Sequence, residues 1–175
     1  MRPDMKMRFP CVVLLFAVAS IFSAHAATER GKMPPIPAAD HAAIRNYPLT
    51  EDVIQRLLAV SADAKKAHIG KPWVFEQIYA SSLDDVTDRV LTTEPRLARI
   101  VEKHGFSRRE YMTAVFAAAS ARYVSVYGPD KVAVHDQFVA SDNASEANIA
   151  FYRSHKAMLD PLLEQSDVGH VKRDL

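Results

Sequence analysis

Apolar residues recur at three- and four-residue spacings over most of the chain between positions 50 and 164. No stretch shows the strict alternation of a half-buried strand. Thr50 precedes Glu51 and Asp52, two acids suited to the positive end of a helix, and Val53, Ile54, Leu57 and Leu58 follow on one face. Lys65, Lys66 and His68 then suit the negative end before Gly70, so the pattern predicts a helix over 51–68. Pro72, Trp73, Phe75, Ile78 and Tyr79 form an aromatic-rich segment to about Ser81. Ser82-Leu83-Asp84-Asp85 then opens a short helix containing Val86, Val90 and Leu91. Thr93-Glu94-Pro95 starts another, because proline at the first helical position gives up an N–H that has no intrahelical partner, and Gly105 ends it.

The strongest local signature is Ser107-x-x-Glu110, a capping box in which each side chain satisfies the other residue's backbone N–H. Phe106 and Tyr111 are spaced as its hydrophobic staple. The helix it opens runs to Tyr127 before Gly128-Pro129, and Arg122 is the sole charge from Tyr111 onward, so it is expected at the centre of the molecule. Residues 130–142 fit a short helix or an extended segment equally. Asn143-x-x-Glu146 resembles a second box, opening a long helix with Ile149, Tyr152, Leu159 and Leu163 on one stripe and Phe151, His155, Met158 and Leu162 beside it, bent by Pro161. The expected fold is therefore all-α, a single-domain bundle of five to six helices.

The ends of the chain read differently. Arg2, Lys6 and Arg8 precede a largely apolar run from Phe9 to Phe22, and Ala24-His25-Ala26-Ala27 follows, the layout of a secretory signal peptide cleaved between Ala26 and Ala27. At about 1.5 Å per residue that run spans roughly 21 Å, short of a hydrocarbon core of roughly 30 Å, so no permanent membrane anchor is expected. Met5 and Met7 are alternative starts. The domain reading is signal peptide 1–26, a Pro-rich flexible arm 27–48 marked by Pro34, Pro35, Pro37 and Pro48, a helical domain 49–165, and a frayed charged tail 166–175.

Composition narrows the chemistry. The 175 residues are 49% apolar and 25% charged with a formal charge of +1, average for a globular domain and without the basic surplus of a nucleic-acid binder. Cleavage removes Arg2, Lys6 and Arg8 against Asp4, taking the charge to −1. It also removes Cys11, the single cysteine, which lacks the context of a lipoprotein attachment site. The mature chain would then have no thiol catalysis, Cys-ligated metal or covalently attached haem. His41, His68, His104, His135, His155 and His170 include no pair at helical ligand spacing. His68 and His104 suit helix C-termini, His135-Asp136 lacks a nucleophile motif, and no catalytic residue or metal ligand is assigned. His155, with Met158 one turn on, is the candidate for a cofactor or ligand contact, set against a packed, hydrogen-bonded role. No cofactor is assigned.

Asp84, Asp85 and Asp88 read as dipole partners rather than a cation site, and Arg108-Arg109 as a solvated pair able to meet them. Ala114, Ala117, Ala118 and Ala121 permit close helix approach or, opposite Trp73, Phe75 and Phe116, room for an apolar ligand.

Tyr47-Pro48-Leu49-Thr50, Ser82-Leu83-Asp84, Gly105-Phe106-Ser107-x-x-Glu110-Tyr111 and Asn148-Ile149-Ala150-Phe151 with His155 follow in an order similar to that of small exported bacterial all-helical proteins of unassigned function, over roughly residues 47–164. The resemblance implies a helical fold and an envelope location and carries no catalytic residues. The functional expectation is an exported, non-catalytic binding or interaction module whose partner is a protein or a small apolar ligand. The competing expectation is a periplasmic enzyme or redox protein with a site near His155.

Overall fold

The computed structural model describes residues 35–69, 80–129 and 138–163, and every regular element in them is helical. The order is α1 Ala38–Asn46, α2 Glu51–Lys66, α3 Leu83–Thr93, α4 Pro95–Lys103 and α5 Arg108–Tyr127, then a 3-10 turn Ser141–Asn143, α6 Glu146–Ser154 and α7 Lys156–Leu163. The segments 70–79, 130–137 and 164–175, with the arm and leader before residue 35, lie outside the described residues, and so do the readings made for Trp73, Phe75, His135, His170 and the Ala26/Ala27 cleavage site.

Helix α5 is the hub. Its capping box is complete: Glu110 N–H donates to Ser107 Oγ at 3.1 Å, and Ser107 N–H donates to the Glu110 carboxylate at 3.3 Å. Phe106 meets Tyr111 edge-on at 5.9 Å, as a staple requires, and Gly128 ends the helix at φ 88°, a conformation that a side chain would strain. Every residue from Tyr111 to Ala118 is buried, and all six other α-helices pack against α5. Ala114, Ala117, Ala118 and Ala121 are wholly buried, so the small residues let neighbouring helices approach closely, and Phe116 stacks on Phe138 at 4.8 Å.

Caps set the other helices. Val53 N–H donates to Thr50 Oγ1, and Asp85 N–H to Ser82 Oγ. Pro95 sits at the start of α4, with Arg96 N–H donating to Glu94. Gly105 follows α4 at φ 78°. Helix α2 ends at Lys66, two residues short of expectation, because Ala67 and His68 turn the chain, His68 at φ 53°. Helices α2 and α4 run antiparallel: Arg96 Nη1 donates to the Ala67 carbonyl at one end, Lys103 reaches Asp63 midway, and Arg56 Nη1 donates to the Gly105 carbonyl at the other.

Three sequence readings are corrected. Residues 38–46, expected in a flexible arm, form α1, whose Ile44 is wholly buried and whose Asp40 is 5% exposed. One apolar and one acidic residue anchor a short helix that has no long apolar stripe to betray it. The cap of α6 is Ser145 rather than Asn143: Asn148 N–H donates to Ser145 Oγ, while Asn143 closes the 3-10 turn with its side chain buried. Finally, the long C-terminal helix is two helices. The chain breaks at His155, six residues before Pro161, and Pro161 lies inside α7, which leaves α5 the longest described element.

Candidate functional site

His155, the residue singled out in the sequence, closes α6 and is bonded on both ring nitrogens. Its Nε2 lies 2.6 Å from Glu51 Oε1 at the start of α2, and its Nδ1 lies 2.9 Å from both the Phe151 carbonyl and Ser154 Oγ. The ring stacks on Phe151 at 4.0 Å. Met158 is half-buried against the core, and its N–H donates to the His155 carbonyl. Serine, imidazole and carboxylate thus form a string with hydrolase-like distances. The proton pattern is the reverse of what a hydrolase needs, because a general base must present a bare nitrogen to the serine. Here Ser154 Oγ donates to the Phe151 carbonyl at 2.9 Å, and Nδ1 faces that same acceptor. The Phe151 carbonyl, and then the Glu51 carboxylate, hold the imidazole pKa above its usual value, because both acceptors favour the protonated ring.

The other polar groups join helices. Asp40 on α1 accepts from Leu83 N–H at 2.8 Å through Oδ2 and from Arg109 Nη2 at 2.7 Å through Oδ1, tying α1 to the start of α3 and the start of α5. Arg109 also pairs with Asp84, so one arginine meets the acidic knot as its position allowed. Arg108 pairs with Glu102, and Asp85 takes Ser81 and Arg89. These bonds, the one from Arg89 foremost, lower the Asp85 pKa to about 2.

Asn148, wholly inside, accepts from Leu49 N–H at 3.0 Å and donates to the Tyr47 carbonyl at 2.8 Å, pinning the α1–α2 link to α6. Tyr47 OH donates to Glu110, which also receives Arg56 Nη2. Burial, followed by the Glu110 charge, pushes the Tyr47 phenol up to about 12. Arg56 lies 4.0 Å over the Phe106 ring. His104, at the C-terminus of α4 as expected, joins Lys103 and Lys66 on Asp63, and together they hold that carboxyl well below the usual range.

His41 Nδ1 donates to Asn143 Oδ1 at 2.6 Å, and Asn143 Nδ2 donates to the Phe138 carbonyl at 2.7 Å, which fixes both the amide orientation and the histidine tautomer. Tyr152 OH donates to Asp160, which also pairs with Lys156 and lies 3.6 Å from Arg122 Nε. Asn143 was read in the sequence as a cap, and the joining roles of Asp40 and Asn148 were missed. Their available signal was a single polar residue where the helical period calls for a buried one.

Among the described residues no group of three or more His, Cys, Asp or Glu side chains is placed to hold a metal ion, and no helix is long and apolar enough to cross a membrane. The large apolar side chains left exposed there are Val126 and Tyr127 at the end of α5, where Tyr127 leans on Tyr123 at 5.1 Å. No protein family, curated protein or solved structure matches the chain.

Proposed function

We propose that this protein is an exported, non-catalytic binding or interaction module of the bacterial cell envelope, similar in kind to the small helical exported proteins its motif order resembles. The observation that carries the reading is the bonding of His155. The side chain best placed by sequence for chemistry spends both nitrogens joining α6 to α2. Asp40, Asp63 and Asp160 are engaged in the same way, between helices or turns. Export rests on the Arg2 to Ala26 leader pattern, and the partner is a protein or a small apolar ligand, for which Val126 and Tyr127 offer exposed apolar surface.

Native mass spectrometry of the protein released from the envelope tests the proposal. The expected species begins at Ala27 and retains a partner or apolar ligand. A cytoplasmic chain retaining Met1 would overturn the export, and a retained haem or metal would overturn the non-catalytic binding role. The second reading, a redox or hydrolytic site at His155, is favoured by the Ser154–His155–Glu51 distances alone. It requires that His155→Ala abolish a Soret band, metal content or turnover while leaving thermal stability intact.

A further inference from the structure

The break between α6 and α7 has no proline or glycine at it. The sequence Arg153-Ser154-His155-Lys156-Ala157 is competent to continue a helix, yet His155 leaves helical geometry at φ −115°, ψ 17°. Its N–H is shared between the Phe151 and Tyr152 carbonyls, and its own carbonyl accepts from the Met158 and Leu159 N–H groups, at 2.9 and 3.1 Å, which begin α7. The ring meanwhile faces two acceptors on two different helices, the Phe151 carbonyl of α6 and the Glu51 carboxylate of α2. A neutral imidazole has one N–H and an imidazolium two, so only the charged ring donates to both.

We propose that the α6–α7 joint is a proton-operated latch, closed while the His155 ring donates to both Glu51 and Phe151 and loosened when it can donate to only one. The surroundings isolate this pair. From α2 the ring meets Glu51, while Asp52 beside it pairs with Arg56. From α6 it meets the Phe151 ring and the Ser154 hydroxyl, and Arg153 is exposed. On α7, Lys156 and Asp160 pair with each other, and Asp160 is shared with Tyr152 and with Arg122 of α5.

The scale is that of a local opening. Glu51 is 67% exposed, so water and salt screen its charge, and Leu162 and Leu163, buried further along α7, confine the opening to its first turn. The sign follows from linkage. The closed joint favours the protonated ring, so closure is strongest below the ordinary histidine pKa of about 6.5 and weakens as pH rises through the higher value of the closed state.

Two NMR measurements on the purified protein test the latch: the titration of the His155 ring, and hydrogen exchange at the Met158 and Leu159 amides corrected for intrinsic rates. The ring is expected to titrate above about 6.5. Across that titration the opening constant at both amides should rise by about tenfold for each pH unit of elevation, while the Tyr111 to Ala118 amides of α5 show no matching rise. Glu51→Gln, at an exposed position, should lower the ring's titration point and shrink the rise by the same factor. Exchange at Met158 and Leu159 that is flat through the titration, or a titration point unmoved by Glu51→Gln, would overturn the latch.

Discussion

Replacing Asp40 with alanine separates a helix built into the core from a tether that merely passes by. Asp40 is 5% exposed, and its Oδ2 satisfies the N–H of Leu83, the first residue of α3 and itself wholly buried. The carboxylate therefore caps α3 from another helix, at the end where a negative charge is favoured. Its loss leaves a buried donor unpaired, at about 1–3 kcal/mol, and removes one partner of Arg109. Arg109 is 41% exposed and keeps Asp84, so that part adds at most about 1 kcal/mol. The expected total is about 1–4 kcal/mol, set against the roughly 5–15 kcal/mol that holds a domain together. Asp40→Asn keeps one acceptor oxygen for Leu83 but turns its NH2 toward Arg109, giving up the charge and that half-exposed ion pair, so about 1 kcal/mol is expected. Urea unfolding followed by circular dichroism measures both, with the midpoint lowered and the slope unchanged. A cost for Asp40→Ala below about 0.5 kcal/mol, the range of ordinary surface substitutions, would show that α1 contributes nothing to the core. Equal costs for the two variants would show that the acceptor to Leu83 is not what matters.

Further outcomes follow from other contacts. Ser107→Ala should cost about 1 kcal/mol by removing the acceptor for Glu110 N–H, and Phe116→Ala about 3–5 kcal/mol because its ring is buried against Phe138. Equal losses in urea unfolding would contradict the capping and core roles. Carboxyl NMR should find Asp63 titrating well below the usual range through its bonds to Lys103, His104 and Lys66. Its contribution to stability is then present above about pH 4 and lost as pH falls toward its folded value, and Lys103→Met should bring the titration back up.

Local grammar accounts for what was readable beforehand. Thr50, Ser82, Pro95 and the Ser107–Glu110 box each place a helix start through bonds between residues at most three apart, and each start lies where expected. The site was less legible. His155 stood out as a histidine among apolar residues, but its partner Glu51 is 104 residues away, and no spacing within α6 announces it. Long sequence separations also hid Asn148, whose bonds run to Tyr47 and Leu49 about 100 residues back, and Asp40, whose bonds run 43 residues on to Leu83 and 69 on to Arg109.

The division between the two kinds of information is physical. Sequence alone determined that the described chain is helical and that the low-charge Tyr111–Tyr127 segment is its hub, because capping bonds and apolar periodicity act within one or two turns. Tertiary structure decided where weak local signals resolve. Nine residues of a proline-flanked arm become α1 because Ile44 enters the core and Asp40 caps a distant helix. A helix-competent run breaks at His155, where the chain turns into α7 and the ring reaches Glu51 on α2, rather than at Pro161. Asn143 gives its cap to Ser145 because its side chain is needed by His41 and the Phe138 carbonyl. In each case a buried polar group has to find a partner, and that requirement is met only once distant segments are packed together.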